Sequence, residues 1–114
     1  MKQKSLSLGG EVLTEHMKEC TNFLERGRGL LFRKPLEASL GQALLIPLCG
    51  SIHTFWMGYP ITVLFLNKEK RLLRICPSVR PWRFAAQKKA AFVIECAVDT
   101  PWVDRLAVDD VLAW

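Results

Sequence analysis

Cys49-Gly50-Ser51-Ile52-His53-Thr54-Phe55-Trp56-Met57, followed after Gly58 by Tyr59-Pro60-Ile61-Thr62-Val63-Leu64-Phe65-Leu66-Asn67, decides the fold of this chain. Ile61 to Leu66 is a run of bulky β-formers and reads as a buried strand. Asn67-Lys68-Glu69-Lys70 supplies the polar turn of a hairpin, and Arg71 to Cys76 returns. On the upstream side, Gly58-Tyr59-Pro60 is a turn and Ile52 to Met57 another strand. Leu48-Cys49-Gly50 breaks the chain, and Ala43 to Pro47 reads as a buried strand before it.

Further out, Ala91 to Ala97 is rich in Val, Ile and Phe and reads as a strand. Pro77 to Lys89 reads as a long loop holding Pro81-Trp82-Arg83, a setting in which a Trp often folds back as a lid on the core. Asp99 to Asp109 reads as a turn region with one helical turn, and Val111 to Trp114 as a terminal strand. Ser5 to Gly10 reads as a loose lead-in or frayed edge, and Val12 to Met17 as a short strand. One helix is expected. Asn22, with Glu25 three residues on, fits a capping box, and Thr21 competes as the cap. Phe23, Gly27, Leu30 and Leu31 recur on one face, with Arg26, Arg28 and Arg33 off it. Gly27 and Gly29 each weaken a helix by about 1 kcal/mol. They point to close packing against a sheet, or to an early end near Gly29. Pro35 stops the helix at the latest. The fold class is therefore mainly β: a small β-sandwich or partly closed barrel, with one helix packed on one side.

At 114 residues, half of them hydrophobic, the chain makes one domain, residues 1–114, with a core that needs no staples. No apolar run follows Met1-Lys2-Gln3-Lys4-Ser5, so a signal peptide is not expected and the expected location is cytoplasmic. The longest apolar run, Ala43 to Cys49, falls far short of the ~20 residues of a membrane span, so membrane insertion is not expected. Cysteines at 20, 49, 76 and 96 contain no C-x-x-C pair. That spacing argues against a zinc knuckle, and four free thiols are expected. The net charge of +5 is uneven. Residues 68–89 carry eight basic groups against Glu69, whereas residues 90–114 carry Arg105 against five acids. Such a segment can meet a phosphate-rich partner. The favoured reading is a solvated hairpin and loop that pair with the acidic C-terminal region.

Thr21 to Arg33, with its small polar residue, Arg and Gly29-Leu30-Leu31, resembles the opening signature of the "domain of unknown function 192" family. Ala43 to Pro47 with Cys49, Ser51-Ile52-His53-Thr54 and Met57 is similar to its second block. Ile61 to Leu66 is similar to the third, and Pro81-Trp82-Arg83 with Val93-Ile94-Glu95 to the fourth. The resemblance covers about residues 18–114. It implies a small, mainly-β sandwich with no established activity, and an accessory role tied to pilus or secretion systems. Three positions depart from the family pattern. Thr62 and Asn67 stand where Asp is usual, and Asp109-Asp110 replaces a Gly-Asp turn.

The candidate site lies around Cys49. On an ideal strand, Ser51, His53, Phe55 and Met57 share one face and Ile52, Thr54 and Trp56 the other. Cys49 and His53 could form a thiolate–imidazole pair, with Glu95 or Asp110 orienting the imidazole. A metal held by Cys49, His53 and a carboxylate lacks the usual ligand spacing, and no metal or cofactor is expected. Glu95 sits in an otherwise apolar strand and needs a partner; an ion pair with Arg26 would tie helix to sheet. Trp82 beside Arg80, Arg83 and Lys88-Lys89 has the aromatic-plus-basic look of single-strand nucleic-acid binders. The leading expectation is a non-catalytic binding or accessory module for a protein or small-molecule ligand. Its rim would be Cys49, Ser51, His53, Thr54, Trp82 and Arg83. A small enzyme using Cys49 and His53 is the alternative, and nucleic-acid binding through residues 68–89 ranks below both.

Overall fold

The computed structural model describes residues 1–29 and 34–114. The strands are β1 (Lys2–Leu8), β2 (Glu11–Glu19), β3 (Ala43–Pro47), β4 (Ser51–His53), β5 (Ile61–Leu66), β6 (Leu72–Val79), β7 (Phe84–Ala86), β8 (Phe92–Ala97) and β9 (Leu112–Ala113). One α-helix, α1, runs over Phe23–Arg28, and short 3-10 turns cover Ala38–Leu40 and Pro101–Arg105. Seven strands form one mixed sheet in the order β6-β5-β8-β3-β2-β1-β9, and β4 and β7 form a separate pair. All pairings are antiparallel except β2 with β3. That parallel pair needs a crossover, which α1 and the first 3-10 turn occupy.

The centre of the sheet explains the continuous apolar runs. β3, β5 and β8 are buried on both faces, so alternation is lost there. Leu44, Ile46, Val63, Phe65 and Val93 pack on one face with Ile52 and Met57 from the β4 region. Leu45, Leu64, Leu66 and Ile94 pack on the other with Leu6, Met17, Trp102 and Leu112. β1, β2 and β9 thus curl over the second face, and the ends of the sheet meet at an isolated bridge, Arg71–Val111, flanked by backbone hydrogen bonds of Lys70 and Leu72. The sheet does not close into a barrel; the result is sandwich-like.

The helix begins as the capping pattern predicts: the Glu25 amide donates to Asn22 Oδ1 at 2.9 Å. It ends at Gly29, whose backbone (φ 53°, ψ −127°) suits only glycine. Its packing differs from expectation. None of its residues is buried, and Phe23 and Leu24 face solvent. Leu30, Leu31 and Arg33 lie outside the described residues.

Other boundaries move too. The frayed N-terminus is a long hairpin, β1–β2, turned by Gly9 and Gly10, both at positive φ. Leu8-Gly9-Gly10-Glu11 is a two-residue hairpin signal in plain sight. β4 stops at His53 because the Met57 amide donates back to the Thr54 carbonyl at 3.2 Å, closing a turn. That turn buries Met57 and exposes Trp56, so the expected face assignment fails after Thr54. β6 continues through Pro77, tolerable because β6 is an edge of the sheet. The expected loop also contains β7.

Candidate functional site

A cavity of about 360 Å³ lies between the end of α1, β3, the β4 region and β8. Ile46, Ile52 and Met57 give it apolar walls; Cys49, Ser51 and His53 line it, as do Arg26 and Arg28 of α1 and the carboxyl of Glu95. β8 delivers Glu95 from the middle of the sheet, opposite Leu44 on β3 and Val63 on β5. Gly29 lets the backbone come down onto it: a Cβ there would meet Glu95 Oε1 at 3.0 Å. The two helix glycines therefore differ in role. Gly29 ends the helix and makes the close approach, while Gly27 faces open space.

Glu95 is 4% exposed. The described residues hold three ion pairs and Glu95 is in none of them, so the expected pair with Arg26 is not formed among them. No sealed side-chain polar atom among the described residues lacks a partner. The Glu95 carboxyl, to which none of the described hydrogen bonds runs, is thus open to the cavity. Burial raises its pKa from 4.5 to about 7. At neutral pH it is poised between acid and carboxylate.

Cys49 and His53 both line the cavity but show no thiolate–imidazole pair. The Cys49 thiol donates to the Ser51 carbonyl at 3.0 Å. Burial, with a smaller push from the nearby Glu95 charge, raises its pKa against the lowering effect of the Ser51 backbone hydrogen bond. The raised pKa favours the thiol over the nucleophilic thiolate. His53 is exposed and its ring lies against Phe55, 5.1 Å between centroids. Asp110, one of the groups considered for orienting it, accepts instead from the Ala107 amide at 2.8 Å. None of the four cysteines is in a disulfide among the described residues.

Thr54, expected on the rim, is fully buried and joins two turns. Its hydroxyl donates to the Arg80 carbonyl at 2.5 Å and accepts from the Arg83 amide at 2.9 Å. Its own amide donates to the Arg83 carbonyl, and the Trp82 amide to its carbonyl. Trp82 and Arg83 are therefore fixed by backbone beside Phe55 and Trp56. Trp82 is no lid on the core. It is 54% exposed, stacked on Phe55 at 5.9 Å and met edge-on by Trp56 at 4.7 Å. The sequence reading missed this cluster because its members come together only across the Thr54 clamp.

The basic hairpin does reach the C-terminal region, but through carbonyls. Lys70 Nζ donates to the Trp114 carbonyl and lies 4.3 Å from the Trp114 ring. Arg71 donates to the Asp109 carbonyl. The carboxylate pairing expected for this region is absent among the described residues. Two of the three departures from the family pattern, Thr62 and Asn67, have structural roles. Thr62 Oγ1 donates to the Pro77 carbonyl at 2.7 Å, across a register shift between β5 and β6. Asn67 Oδ1 accepts from the amides of Glu69 and Arg71, each at 3.0 Å, and so closes the hairpin. Neither residue lines the cavity.

Residues 6–114 match the DUF192 family, described as uncharacterized ACR. The chain belongs to the DUF192 family. A UPF0127 protein of Pyrococcus abyssi is 36% identical over 100 residues, covering 82% of this chain and 80% of that protein. One from Pyrococcus furiosus is 31% identical over 115 residues, covering 96% and 95%. Two crystal structures share the fold. A protein of unknown function from Novosphingobium aromaticivorans has a TM-score of 0.76 at 15% identity, over 96% of this chain and 84% of that one. A putative transcription regulator from Sinorhizobium meliloti has a TM-score of 0.77 at 14% identity, over 99% and 95%. At such identities the likeness concerns fold alone. No catalytic function is indicated for this DUF192 chain by its relatives. Among the described residues no helix is long and apolar enough to cross a membrane.

Proposed function

We propose that this DUF192 protein is a non-catalytic binding module whose ligand is a small, partly apolar molecule seated in the cavity beneath α1, giving a hydrogen-bond donor to Glu95. One observation carries the reading: a carboxyl 4% exposed, without a described partner, opens into a cavity with apolar walls. A polar group in that position is costly unless something hydrogen-bonds it. Cavities of this size, mostly apolar with a few convergent polar groups, are the usual form of small-molecule sites. Ser51 and His53 offer further polar contacts at the mouth. The alternative enzyme reading needs a reactive thiolate, and the donating Cys49 thiol works against it.

The test is a thermal-shift screen of small amines, amides and alcohols against the wild type and Glu95→Leu. A ligand of the expected kind stabilises the wild type and loses at least about tenfold in affinity in the variant. If every stabilising compound binds both proteins equally, Glu95 is not part of a ligand site and the reading fails. Rapid alkylation of Cys49 by iodoacetamide near neutral pH would favour the enzyme instead.

A further inference from the structure

We propose that the aromatic tip formed by Phe55, Trp56, Trp82 and Phe84 is a peripheral docking surface for anionic lipid bilayers, with Arg80 and Arg83 contacting the headgroups. The four rings are 40%, 68%, 54% and 66% exposed, respectively. Scattered exposed apolar residues need no explanation, but Phe55, Trp56 and Trp82 touch on two adjoining turns, and Phe84 follows at the start of β7, opposite His53. Trp56 and Trp82 sit at positive φ, 68° and 64°, a backbone region that disfavours large side chains. The Thr54 clamp holds both turns in that conformation. The tip is thus preorganised outward rather than collapsed onto the core.

Charge selects the occupant. Arg80 and Arg83 are exposed beside the rings. The two stretches that build the tip contain no acidic residue: none lies between Ala38 and Lys68, and none between Lys70 and Ile94. An anionic surface is therefore attracted without local opposition. Ring geometry then separates lipid from nucleic acid. Bases stack on open ring faces. Here Phe55 lies stacked on Trp82, and Trp56 meets Trp82 edge-on. Trp82, the ring flanked by the two arginines, thus has Phe55 stacked on it and Trp56 against it, which leaves a base less open face there. Among the described residues the indole N–H groups of Trp56 and Trp82 make no hydrogen bond within the fold. Exposed apolar rings with free N–H donors and flanking arginines match the headgroup–acyl boundary, where Trp and basic residues concentrate. This contact lies on the membrane surface and needs no spanning segment.

The experiment is cosedimentation of the full chain with vesicles of phosphatidylcholine alone or mixed with phosphatidylglycerol, with tryptophan fluorescence read in parallel. The expected result is binding to the mixed vesicles with a blue shift, and much weaker binding to phosphatidylcholine. Trp56→Gly suits the backbone at that position while deleting the ring; it should weaken binding about tenfold, and Phe84→Ala should weaken it too. Arg80→Gln and Arg83→Gln should each cost about fivefold, and added salt should reproduce the loss. Circular dichroism checks that each variant folds. Glu95→Leu should leave vesicle binding unchanged, so this proposal stands or falls apart from the cavity. Equal binding to both vesicle types overturns it, as does binding that none of the four tip variants weakens. Tight binding of oligothymidylate with indifference to vesicles also overturns it, and assigns the tip to single-stranded nucleic acid.

Discussion

Glu95→Gln should make the protein's stability less sensitive to pH, and the size of the effect follows from the buried carboxyl. The folded-state pKa is about 7 against an ordinary 4.5. Below pH 4.5 folded and unfolded chains both hold the proton, and the site costs nothing. As pH rises towards 7, the unfolded chain has released the proton while the folded chain keeps it. The folded state then binds more protons, so stability falls with rising pH. Above 7 the loss is complete. Each pH unit between the two values costs ~1.4 kcal/mol, which gives about 3 kcal/mol in all. Glutamine keeps the shape and cannot ionise. Urea melts of both proteins from about pH 4 to about pH 8 read the difference, because other titrating groups are common to both. The wild type should lose about 3 kcal/mol relative to Glu95→Gln across that range, with unchanged m-values. A gap that stays constant with pH would show that Glu95 ionises freely in the folded state, and would refute the burial argument.

Thr54→Val removes the hydroxyl joining the two turns and leaves the Arg83 amide and Arg80 carbonyl short of a partner. Chemical denaturation should show a loss of about 2–3 kcal/mol, accompanied by a changed tryptophan emission. Gly29→Ala places a Cβ 3.0 Å from Glu95 Oε1 in a backbone region that excludes it, and a melt should show a loss of about 2 kcal/mol. His53→Ala should cost no more than about 1 kcal/mol, since the exposed ring offers its Phe55 contact and little else. A full structural loss at His53 would mean that the imidazole holds β4 in place.

The central strands were legible because burial on both faces leaves a strong signal. Ala43–Pro47 and Ile61–Leu66 fall where their apolar runs place them, and the third run starts one residue later, at Phe92. Asn22 was legible because capping is local chemistry. The turn after His53 was not. Phe55 and Trp56 continue a strand pattern, and only the Thr54 carbonyl bond to Met57 reveals the reversal. Left-handed Trp56 and Trp82 carry no glycine or asparagine signal to mark their turns. In the site, the residue types Cys49, Ser51, His53 and Glu95 were readable, and all four line one cavity. Their relations were not. Whether a thiol donates to a carbonyl or yields its proton to an imidazole depends on distances that one sequence does not encode. Thr54 was misplaced on the rim because a hydroxyl in a strand looks alike whether it faces solvent or two buried amide groups.

Two features run against folding economy. A buried carboxyl costing about 3 kcal/mol is a large fraction of the ~5–15 kcal/mol that holds a domain of this size together. Two tryptophans held at positive φ add strain of about 1 kcal/mol or more each. Glu95 has no described partner to offset its cost, and the two indoles, although the Thr54 hydrogen bonds hold their turns and the rings touch, remain largely in solvent. Thr62 and Asn67 make an instructive contrast. They too are polar groups in or beside the sheet, yet every hydrogen bond described for them closes a strand pair or a turn. Where a sequence keeps a residue that weakens its own fold, the compensation lies outside the fold, in what the residue binds. On that reasoning the cavity over Glu95 and the tip built on Thr54 are the two places to look for this protein's partners, and Thr62 and Asn67 are not.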